Sequence, residues 1–293
     1  MIVAKSNELN KVITKKTAVA LGSFDALHKG HIAVIGEMVE YAKEKDLLSV
    51  VQLVERNESD KVNTLSKRLE ILGDMGVDVV VIEEFTPEFK SVRYDRFIEE
   101  FICQKYNAKA VFAGKNYRFG FMAEGDAERL REICSRLGIT VFVVPYVLDF
   151  DKVVSSSAIR EFVANGEVDK VKDYMSRPFS LSGEVIHGNS VGRKHGFPTA
   201  NISIPKEQVI PKDGVYATRI NIDGKTYRGL TNLGSKPTVK IAERNIETYI
   251  LGFNGDIYGK EIEIEFLKRI RDTKKFNSLK ELKKQIEEDK KSI

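Results

Sequence analysis

The sequence predicts two folded parts in series: an α/β lobe built on a parallel sheet, then a small antiparallel β-barrel with a C-terminal helix. Up to residue 144, short apolar runs alternate with segments of helical periodicity, which is typical of a parallel sheet covered by helices. Beyond residue 178 the periodicity falls to two and turn signals follow at close spacing, as in small barrels. Pro178 ends any helix, so we place the domains at 1–177 and 178–293.

Five buried strands are predicted in the first lobe, each from an apolar run that is nearly continuous. They span 18–21, 47–54, 79–82, 109–113 and 140–144. Apolar residues at every third or fourth position predict helices between these strands, around 32–39, 65–76, 97–102 and 127–137. Residues 1–17 show neither pattern, and we expect them to be a short lead-in.

Alternating apolar residues predict several short strands in the second part of the chain. Asp223-Gly224 stands between two such runs and predicts a hairpin with a type I′ turn. A final amphipathic helix is predicted from Leu279 to Asp289, with Leu282 and Ile286 on its apolar side. Its many lysines and glutamates are expected to form a solvated face.

Composition excludes several classes of protein and partner. No run of eighteen apolar residues is present, so a membrane span is not expected. The formal net charge of +4 is mild for this length and suits anionic small substrates better than nucleic acid. Cys103 and Cys134 have no metal-ligand spacing and are expected to be idle thiols in a reducing cytoplasm.

Residues 22–31, GSFDALHKGH, lie between a predicted strand and a predicted helix. His28 and His31 stand three residues apart where that helix begins, so both imidazoles can face one side. A helix N-terminus carries unbonded N–H groups and partial positive charge, which suit a phosphate, and two imidazoles can add further donors. The alternatives are a chance pair of histidines or a weak zinc site with only Asp25 nearby.

Three more stretches after strands carry residues that suit ligand binding. Residues 85–89 can close over a ligand or form an ordinary proline-containing loop. Residues 114–120 join aromatic side chains to Arg118, which suits a flat ring beside a phosphate; a solvated surface loop is the alternative. Residues 154–160 put serine hydroxyls at a predicted helix start, where they can cap the helix or bind phosphate.

A second candidate site lies in residues 183–201, a glycine-rich segment whose backbone amides can wrap phosphates. Thr199 and Asn201 occupy alternate positions of the strand that follows, so their side chains share a face. Their oxygens are ligands of the type that Mg²⁺ takes when it bridges nucleotide phosphates. Plain barrel turns are the alternative interpretation.

Residues 22–31 resemble the G-x-F-D-x-x-H-x-G-H signature of nucleotidyltransferases, and six positions match. With residues 114–120 and 154–160, they resemble the FAD synthetase module of bacterial bifunctional flavin enzymes. The resemblance implies a nucleotidyltransferase-type, Rossmann-like lobe that transfers the adenylyl group of ATP to FMN and releases pyrophosphate.

This resemblance also implies roles for individual residues. Nucleotide-binding roles fall on Gly22, Phe24, Asp25, Gly30, Ser156 and Ser157. Catalytic roles fall on His28, His31 and Arg160, the last of which would neutralise the departing pyrophosphate. Flavin-binding roles fall on Asn116, Arg118 and Phe119.

Two positions of the lobe depart from that family's pattern. Ala26 stands where the flavin-handling branch usually has glycine, and residues 52–57 read QLVERN where a Pro-His-Pro element is usual. These departures motivate an alternative in which the first lobe has lost adenylyl transfer.

The second part of the chain resembles riboflavin kinases. The similarity begins in residues 192–201, which end in Pro-Thr-Ala-Asn, and continues through residues 232–238, 247–251, 256–259 and 271–276. It implies that Glu247 is the general base and that Arg271 binds the flavin. It implies nucleotide contacts from Gly192, Lys194, Gly196, Pro198, Thr199 and Asn201, with Thr199 and Asn201 also holding Mg²⁺.

The sequence therefore predicts a cytoplasmic riboflavin kinase and FMN adenylyltransferase. Its expected partners are ATP, riboflavin, FMN and FAD, with Mg²⁺ bound to ATP; neither nucleic acid nor membrane is expected. Two alternatives stay open: a riboflavin kinase with an inactive first lobe, and a flavin- or nucleotide-binding regulator. The oligomeric state does not follow from the sequence.

Overall fold

The computed structural model describes residues 1–56, 60–149, 152–187, 198–203, 206–235 and 244–293. The chain divides into two compact units. The first holds Met1–Glu58 and Leu65–Ser155, and the second holds Ser59–Thr64 and Ser156–Ile293. The helices just before Pro178 therefore group with the second unit, although the change in sequence periodicity lies at residue 178.

The first unit is built on a six-stranded sheet in which every neighbouring pair is parallel. Its strands are β1 (Ile2–Lys5), β2 (Thr17–Gly22), β3 (Leu48–Glu55), β4 (Val79–Glu84), β5 (Ala108–Gly114) and β6 (Thr140–Val144). The five strands predicted from apolar runs are thus confirmed, each within two residues of its expected ends.

The expectation that residues 1–17 are only a lead-in is wrong. Residues 2–5 form β1 and pair with residues 79–82 of β4 at the edge of the sheet. The signal was weak because only Ala4 of this short strand is buried, whereas Ile2 and Val3 are exposed. An edge strand needs no continuous apolar run, which was the pattern that found the other strands.

Helices cover both faces of this sheet. They are α1 (Lys29–Glu44), α2 (Leu65–Asp74), the short α3 (Pro87–Lys90) and α4 (Tyr94–Arg96), a π-helix (Phe97–Lys105) and α5 (Ala127–Arg136). Short 3₁₀ turns occupy Ser6–Lys11 and Phe121–Ala123, and a small hairpin joins β7 (Leu148–Asp149) to β8 (Lys152–Val153). The four longer predicted helices are confirmed, and the third of them has π geometry.

The apolar runs are nearly continuous because successive residues of each central strand enter different cores. In β2, Val19 and Leu21 belong to one buried cluster, whereas Ala18 and Ala20 belong to the other. The second cluster also takes Val34, Ile35 and Met38 of α1, which lie at the helical spacing seen in the sequence. Both faces of the central strands are therefore buried against helices.

The strand order β1-β4-β3-β2-β5-β6 fixes where a ligand can bind. The chain runs from β2 towards one edge through β3 and β4, then returns to place β5 and β6 on the other side. The order therefore reverses between β2 and β5. In open parallel sheets, ligands bind beyond the carboxyl ends of the strands at such a switch point, and β2 leads there directly into residues 22–31.

The second unit contains a closed antiparallel barrel of six strands in the order β10-β13-β12-β11-β14-β9. These strands are β9 (Phe179–Ile186), β10 (Thr199–Ile202), β11 (Gly214–Ile222), β12 (Lys225–Ser235), β13 (Arg244–Ile250) and β14 (Glu261–Arg271). Asp223 and Gly224, between β11 and β12, have φ of 49° and 74°, as the predicted type I′ turn requires.

Three helices complete the second unit: α6 (Ser156–Asn165), α7 (Val168–Met175) and α8 (Leu279–Lys290). The predicted C-terminal helix is thus confirmed; Leu282 and Ile286 are half-buried, while the Leu279 side chain lies outside the described residues. Ser278 caps α8, since its hydroxyl accepts the N–H of Glu281. No helix in the described part of the chain is long and apolar enough to cross a membrane.

Candidate active sites

The turn between β2 and α1 holds the predicted nucleotide residues of the first unit. Phe24 and Leu27 are buried, yet both have positive φ, 47° and 45°, which is costly for bulky side chains. A Cβ added at Gly22 would stand 2.9 Å from the Phe24 ring, so this position accepts only glycine without a shift. Asp25 is buried in the same turn. The backbone is thus held in one strained shape beside the switch point.

His28 is the N-cap of α1 and is buried, with 7% of its surface exposed. Its Nδ1 accepts the backbone N–H of His31 at 3.3 Å, so a neutral imidazole carries its proton on Nε2. The two imidazole rings stack with centroids 3.7 Å apart, and the His31 ring also meets Phe24 edge-on. Gly30 leaves room for this stack, because a Cβ there would lie 3.2 Å from the His28 ring. The two imidazoles are therefore brought together as the sequence predicts, at a helix N-terminus.

The loop after β5 holds the predicted flavin residues Asn116 and Arg118, both exposed. The Arg118 guanidinium lies 3.3 Å from the carboxylate of Asp126. Asp126 is also the N-cap of α5; it accepts the N–H of Arg129, and this bond lowers the pKa of the Asp126 carboxyl. Arg118 is thus anchored near a helix start while its side chain stays accessible.

Phe119 sits differently from its two neighbours in this loop. Its ring is buried in an aromatic cluster, stacked on Tyr117 and tilted against Phe97. Burial of the Tyr117 hydroxyl raises its pKa well above the ordinary range. In this structure Phe119 anchors the loop to the core, and its contact with a flavin stays a prediction.

Ser156, Ser157 and Arg160 lie in the first turns of α6, as the sequence predicts. Ser157 is exposed, and the other two are half-buried. Arg160 Nε donates to the backbone carbonyl of Asp60 at 3.0 Å. These residues belong to the second unit, and their contact with a triphosphate stays a prediction.

The register of the barrel brings the predicted kinase residues onto its outer face. Asn201 on β10 pairs with Glu247 on β13, and Thr199 pairs with Tyr249. Glu247 also pairs with Asn232 on β12, so three neighbouring strands present polar side chains at one level. Asn201 is 5% exposed and Glu247 is half-buried.

Asn245 connects these residues and was missed from the sequence. Its side-chain nitrogen donates to Asn201 Oδ1 at 3.2 Å and to Glu247 Oε1 at 2.9 Å. The sequence did carry one signal for Asn245. Asn245 and Glu247 are alternate residues of β13, so their side chains share the outer face of that strand. Asn201 and Glu247 each direct one oxygen at the Asn245 amide nitrogen, and these two bonds fix the orientation of both side chains.

Arg271, predicted to bind the flavin, ends β14 and forms a fork with Asp289 of α8. Arg271 Nε and Nη2 donate to the carboxylate oxygens at 3.0 and 2.8 Å, and Asp289 is 3% exposed. The pair ties the last strand to the last helix. A flavin contact by Arg271 stays a prediction.

Three predicted nucleotide residues, Gly192, Lys194 and Gly196, lie outside the described residues. Pro198, the next predicted contact, is exposed and directly precedes β10.

Comparison with known families assigns both units. Residues 10–158 match the family model for FAD synthetase, and residues 175–293 match that for riboflavin kinase. A crystal structure described as a macrolide-efflux protein from Streptococcus pneumoniae has the same fold, with a TM-score of 0.90 and 30% identity. The alignment covers 99% of this chain and 98% of that one.

Two curated relatives are bifunctional riboflavin kinase/FMN adenylyltransferases. The one from Bacillus subtilis is 32% identical, over 98% of this chain and 95% of its own. The one from Haemophilus influenzae is 33% identical, over 93% of this chain and 91% of its own. These matches run through both units, and the chain belongs to the bifunctional riboflavin kinase/FMN adenylyltransferase family.

Proposed function

We propose that this chain makes FAD from riboflavin in two consecutive reactions. Residues 178–293 phosphorylate riboflavin to FMN with ATP, and residues 1–177 transfer the adenylyl group of a second ATP to FMN, releasing pyrophosphate. Matches to a kinase model and to an FAD synthetase model, in separate parts of the chain, support the pairing. The observation that carries the kinase part of the proposal is the Asn201–Asn245–Glu247 cluster on the barrel, where the proposed base and a proposed nucleotide contact share one hydrogen-bond donor.

In the kinase reaction, Glu247 accepts the proton of the ribityl hydroxyl as that oxygen attacks the γ-phosphorus and ADP leaves. Phosphoryl transfer depends mostly on alignment and on neutralising charge, so the base chiefly orients the nucleophile. The 2.9 Å bond from Asn245 to Glu247 Oε1 supports this role, because it occupies one carboxylate oxygen and leaves the other to meet the hydroxyl.

The donor set on this face fits Mg²⁺ bound together with ATP. The Thr199 hydroxyl and the Asn201 amide oxygen are hard oxygen ligands on one strand face, and Glu247 adds negative charge beside them. When bound, Mg²⁺ supplies positive charge that offsets the charge on the phosphates. We propose that Thr199 and Asn201 hold it, with the backbone around Gly192, Lys194, Gly196 and Pro198 binding the nucleotide.

In the adenylyl transfer, a phosphate oxygen of FMN attacks the α-phosphorus of ATP and pyrophosphate leaves. We propose that the Nε2–H of His28, the His31 imidazole and the N-terminus of α1 stabilise the charge that builds up. Gly22, Phe24, Asp25 and Gly30 shape this turn around the nucleotide. Ser156, Ser157 and Arg160 are proposed as further contacts to the triphosphate, supported by the family motif that they match.

We also propose that Asn116, Arg118, Phe119 and Arg271 contact flavin. A cytoplasmic location is proposed as well, supported by the free thiols of Cys103 and Cys134, as expected in a reducing compartment.

Incubation with riboflavin, ATP and Mg²⁺, followed by chromatography of the flavins, tests the proposal. FMN followed by FAD is expected. FMN alone, with excess FMN and ATP supplied, would favour a kinase with an inactive first unit. Neither product would leave a flavin- or nucleotide-binding regulator as the better interpretation.

Two variants separate the activities. Glu247→Gln should abolish most FMN formation and spare FAD synthesis from supplied FMN. His28→Asn should do the reverse, because asparagine still caps α1 but lacks the imidazole donor. Unchanged rates in either variant would remove that residue from its proposed role.

A further inference from the structure

The proposed base has a polar neighbour on the side away from Asn201. Asn232 of β12 is the direct cross-strand partner of Glu247, which is in turn the partner of Asn201 on β10. The residues before and after Asn232 in its strand are buried, so its side chain points outward, as that of Glu247 does. Direct partners on one face of an antiparallel pair have Cβ atoms about 5 Å apart. The Asn232 amide therefore stands beside the Glu247 carboxylate.

Asn232 offers hydrogen-bonding groups that the other two asparagines of this face do not. The Asn245 amide nitrogen already donates to two protein oxygens, and Asn201 is buried. Asn232 is exposed, and its side chain has no hydrogen-bond partner among the described residues. A side-chain amide both donates and accepts, and so does a hydroxyl. Asn232 therefore suits a hydroxyl of a ligand that lies on this face.

Gly234 leaves room between the Asn232 amide and the segment that follows β14. Gly234 lies two residues after Asn232, on the same face of β12, and pairs with Asn245. A Cβ built at Gly234 would stand 4.0 Å from Asn232 Nδ2 and 3.5 Å from Thr273 Cγ2. Thr273 is exposed and comes two residues after Arg271. The segment predicted to bind the flavin thus passes close to the strand that bears Asn232.

The same level of the barrel leads from Glu247 to Arg271. Asn232 pairs with Val215 of β11, and Val215 pairs with Arg271 of β14. Glu247 and Arg271 are therefore three strand spacings apart, about 14 Å along the barrel surface. Riboflavin has a terminal hydroxyl, then a chain of hydroxyls, then a flat ring. With the terminal hydroxyl at Glu247 and the ring towards Arg271, the chain passes Asn232.

We propose that Asn232 binds the ribityl hydroxyl next to the one that Glu247 deprotonates. The inference rests on the proposed kinase reaction and adds a specificity contact to it, with no further bond-making step. A site that bonds a substrate hydroxyl discriminates against an analogue without it, because the covered amide is then left unpaired. The contact therefore selects flavins that carry a polyhydroxyl chain.

The test compares riboflavin with its N10-(5-hydroxypentyl) analogue, which keeps the ring and the terminal hydroxyl and lacks the hydroxyls between them. Asn232→Ala should lower kcat/KM for riboflavin about tenfold, chiefly through KM, because one neutral hydrogen bond is lost. Its kcat/KM for the analogue and its KM for ATP should stay within twofold of wild type. Asn232→Ser, which keeps a donor and an acceptor on a shorter side chain, should give a smaller fall for riboflavin.

Asn254→Ala is the matched control. Asn254 is an exposed asparagine of the same unit, between β13 and β14. Its kcat/KM for both flavins should equal that of wild type. Equal falls for both flavins in Asn232→Ala would mean that Asn232 shapes the face without binding the chain. That result, or an unchanged value for riboflavin, would overturn the proposal.

Equilibrium titration of the full chain with the two flavins in the absence of ATP, followed by flavin fluorescence, separates this inference from the proposed function. Asn232→Ala should weaken one class of riboflavin sites about tenfold and leave binding of the analogue unchanged. This result together with no FMN from wild type would refute the phosphoryl transfer and support the contact. Identical riboflavin titrations for wild type and Asn232→Ala would refute the contact even where FMN forms.

Discussion

The side-chain amide of Asn245 donates hydrogen bonds to two neighbours, Asn201 on β10 and Glu247 on the same strand as Asn245. An amide nitrogen has two hydrogens, so both bonds can form together. Each partner would otherwise sample several rotamers on an outer barrel face. The proposed base and the proposed nucleotide ligand are thus held in one relative orientation before substrate binds, which is how a site lowers the cost of alignment.

Asn245→Ala removes both bonds and leaves Glu247 to reorient at each turnover. We expect kcat for FMN formation to fall about tenfold, which corresponds to about 1.4 kcal/mol, within the net worth of one hydrogen bond to a charged group. FAD synthesis from supplied FMN should not change. Initial rates of both reactions, measured on the same preparation, check this.

Asn221→Ala is the control for Asn245→Ala. Asn221 also lies on a barrel strand, half-buried, and accepts from the Thr226 hydroxyl at 3.0 Å, away from the proposed site. Its FMN formation should equal that of wild type. If Asn245→Ala also keeps the wild-type rate, Glu247 is positioned by other groups.

Inside the barrel, three strands are joined by a chain of threonine hydroxyls. Thr218, Thr231 and Thr248 are fully buried, with Oγ1 atoms 2.8 Å apart in the first pair and 2.9 Å in the second. Thr231 of β12 and Thr248 of β13 are cross-strand partners, whereas Thr218 of β11 pairs with Gly229 and so reaches Thr231 diagonally. Each hydroxyl satisfies its neighbour, so a polar row can sit in an apolar core.

Thr231→Val keeps the side-chain shape and removes the middle hydroxyl. Thr218 and Thr248 then lose their shared partner, and leaving buried groups unsatisfied costs about 1–3 kcal/mol. We expect the free energy of unfolding to fall by that amount in a urea titration. Thr226→Val, on the exposed part of the same strand, should change it by less than about 0.5 kcal/mol. Equal effects of the two variants would mean that the buried row contributes no net stability.

A second buried polar group joins β3 and β4 in the first unit. The Tyr106 hydroxyl donates to Glu83 Oε1 at 3.0 Å and accepts from Gln52 Nε2 at 2.8 Å. Burial raises the pKa of Glu83, while hydrogen bonds from Ser6 and Tyr106 and the charge of Lys105 act in the opposite direction. Folding therefore favours the protonated carboxyl.

The pH dependence of stability follows from the sign of this shift. A raised folded pKa gives a stability contribution that is present below the ordinary carboxyl pKa and is lost as pH rises through the folded value. Glu83→Gln keeps the acceptor for Tyr106 and does not ionise. The variant should therefore gain stability relative to wild type as the pH is raised from 4 to 8, in urea titrations at several pH values. A difference that is constant over this range would mean that Glu83 does not titrate with folding.

At the scale of the whole molecule, sequence patterns predicted the strands and helices that have a regular apolar pattern. They missed the side-chain contacts that form only when distant strands pair in a particular register. Continuous apolar runs located β2 to β6 because helices cover both faces of the sheet. The same pattern missed β1, which lies at the edge of the sheet and is mostly exposed. The histidine pair was readable from spacing. The bond between Asn245 and Asn201 was not, because the two residues lie 44 positions apart and meet only through barrel pairing. The hydrogen bonds from Arg271 to Asp289 were likewise missed, because the sequence does not specify where α8 packs.

The proposed histidines and the proposed general base lie in different units of the chain: His28 and His31 in the first, Glu247 in the second, which also holds Arg160. Each unit has its own sheet and its own buried core. A substitution of His28 is therefore expected to leave the surroundings of Glu247 intact, and a substitution of Glu247 those of His28. FMN is the only compound that is a product of one proposed reaction and a substrate of the other.

This division predicts complementation between two variant chains that each lack one of the two activities. His28→Asn alone should convert riboflavin to FMN and stop, and Glu247→Gln alone should leave riboflavin unchanged. Mixed in equal amounts with riboflavin, ATP and Mg²⁺, they should form FAD after a lag, because FMN released by one chain binds the other. Chromatography at successive times measures the lag, which should shorten as the His28→Asn share rises. FMN that accumulates without FAD, at concentrations where Glu247→Gln adenylylates supplied FMN, would show that the intermediate does not reach the second chain.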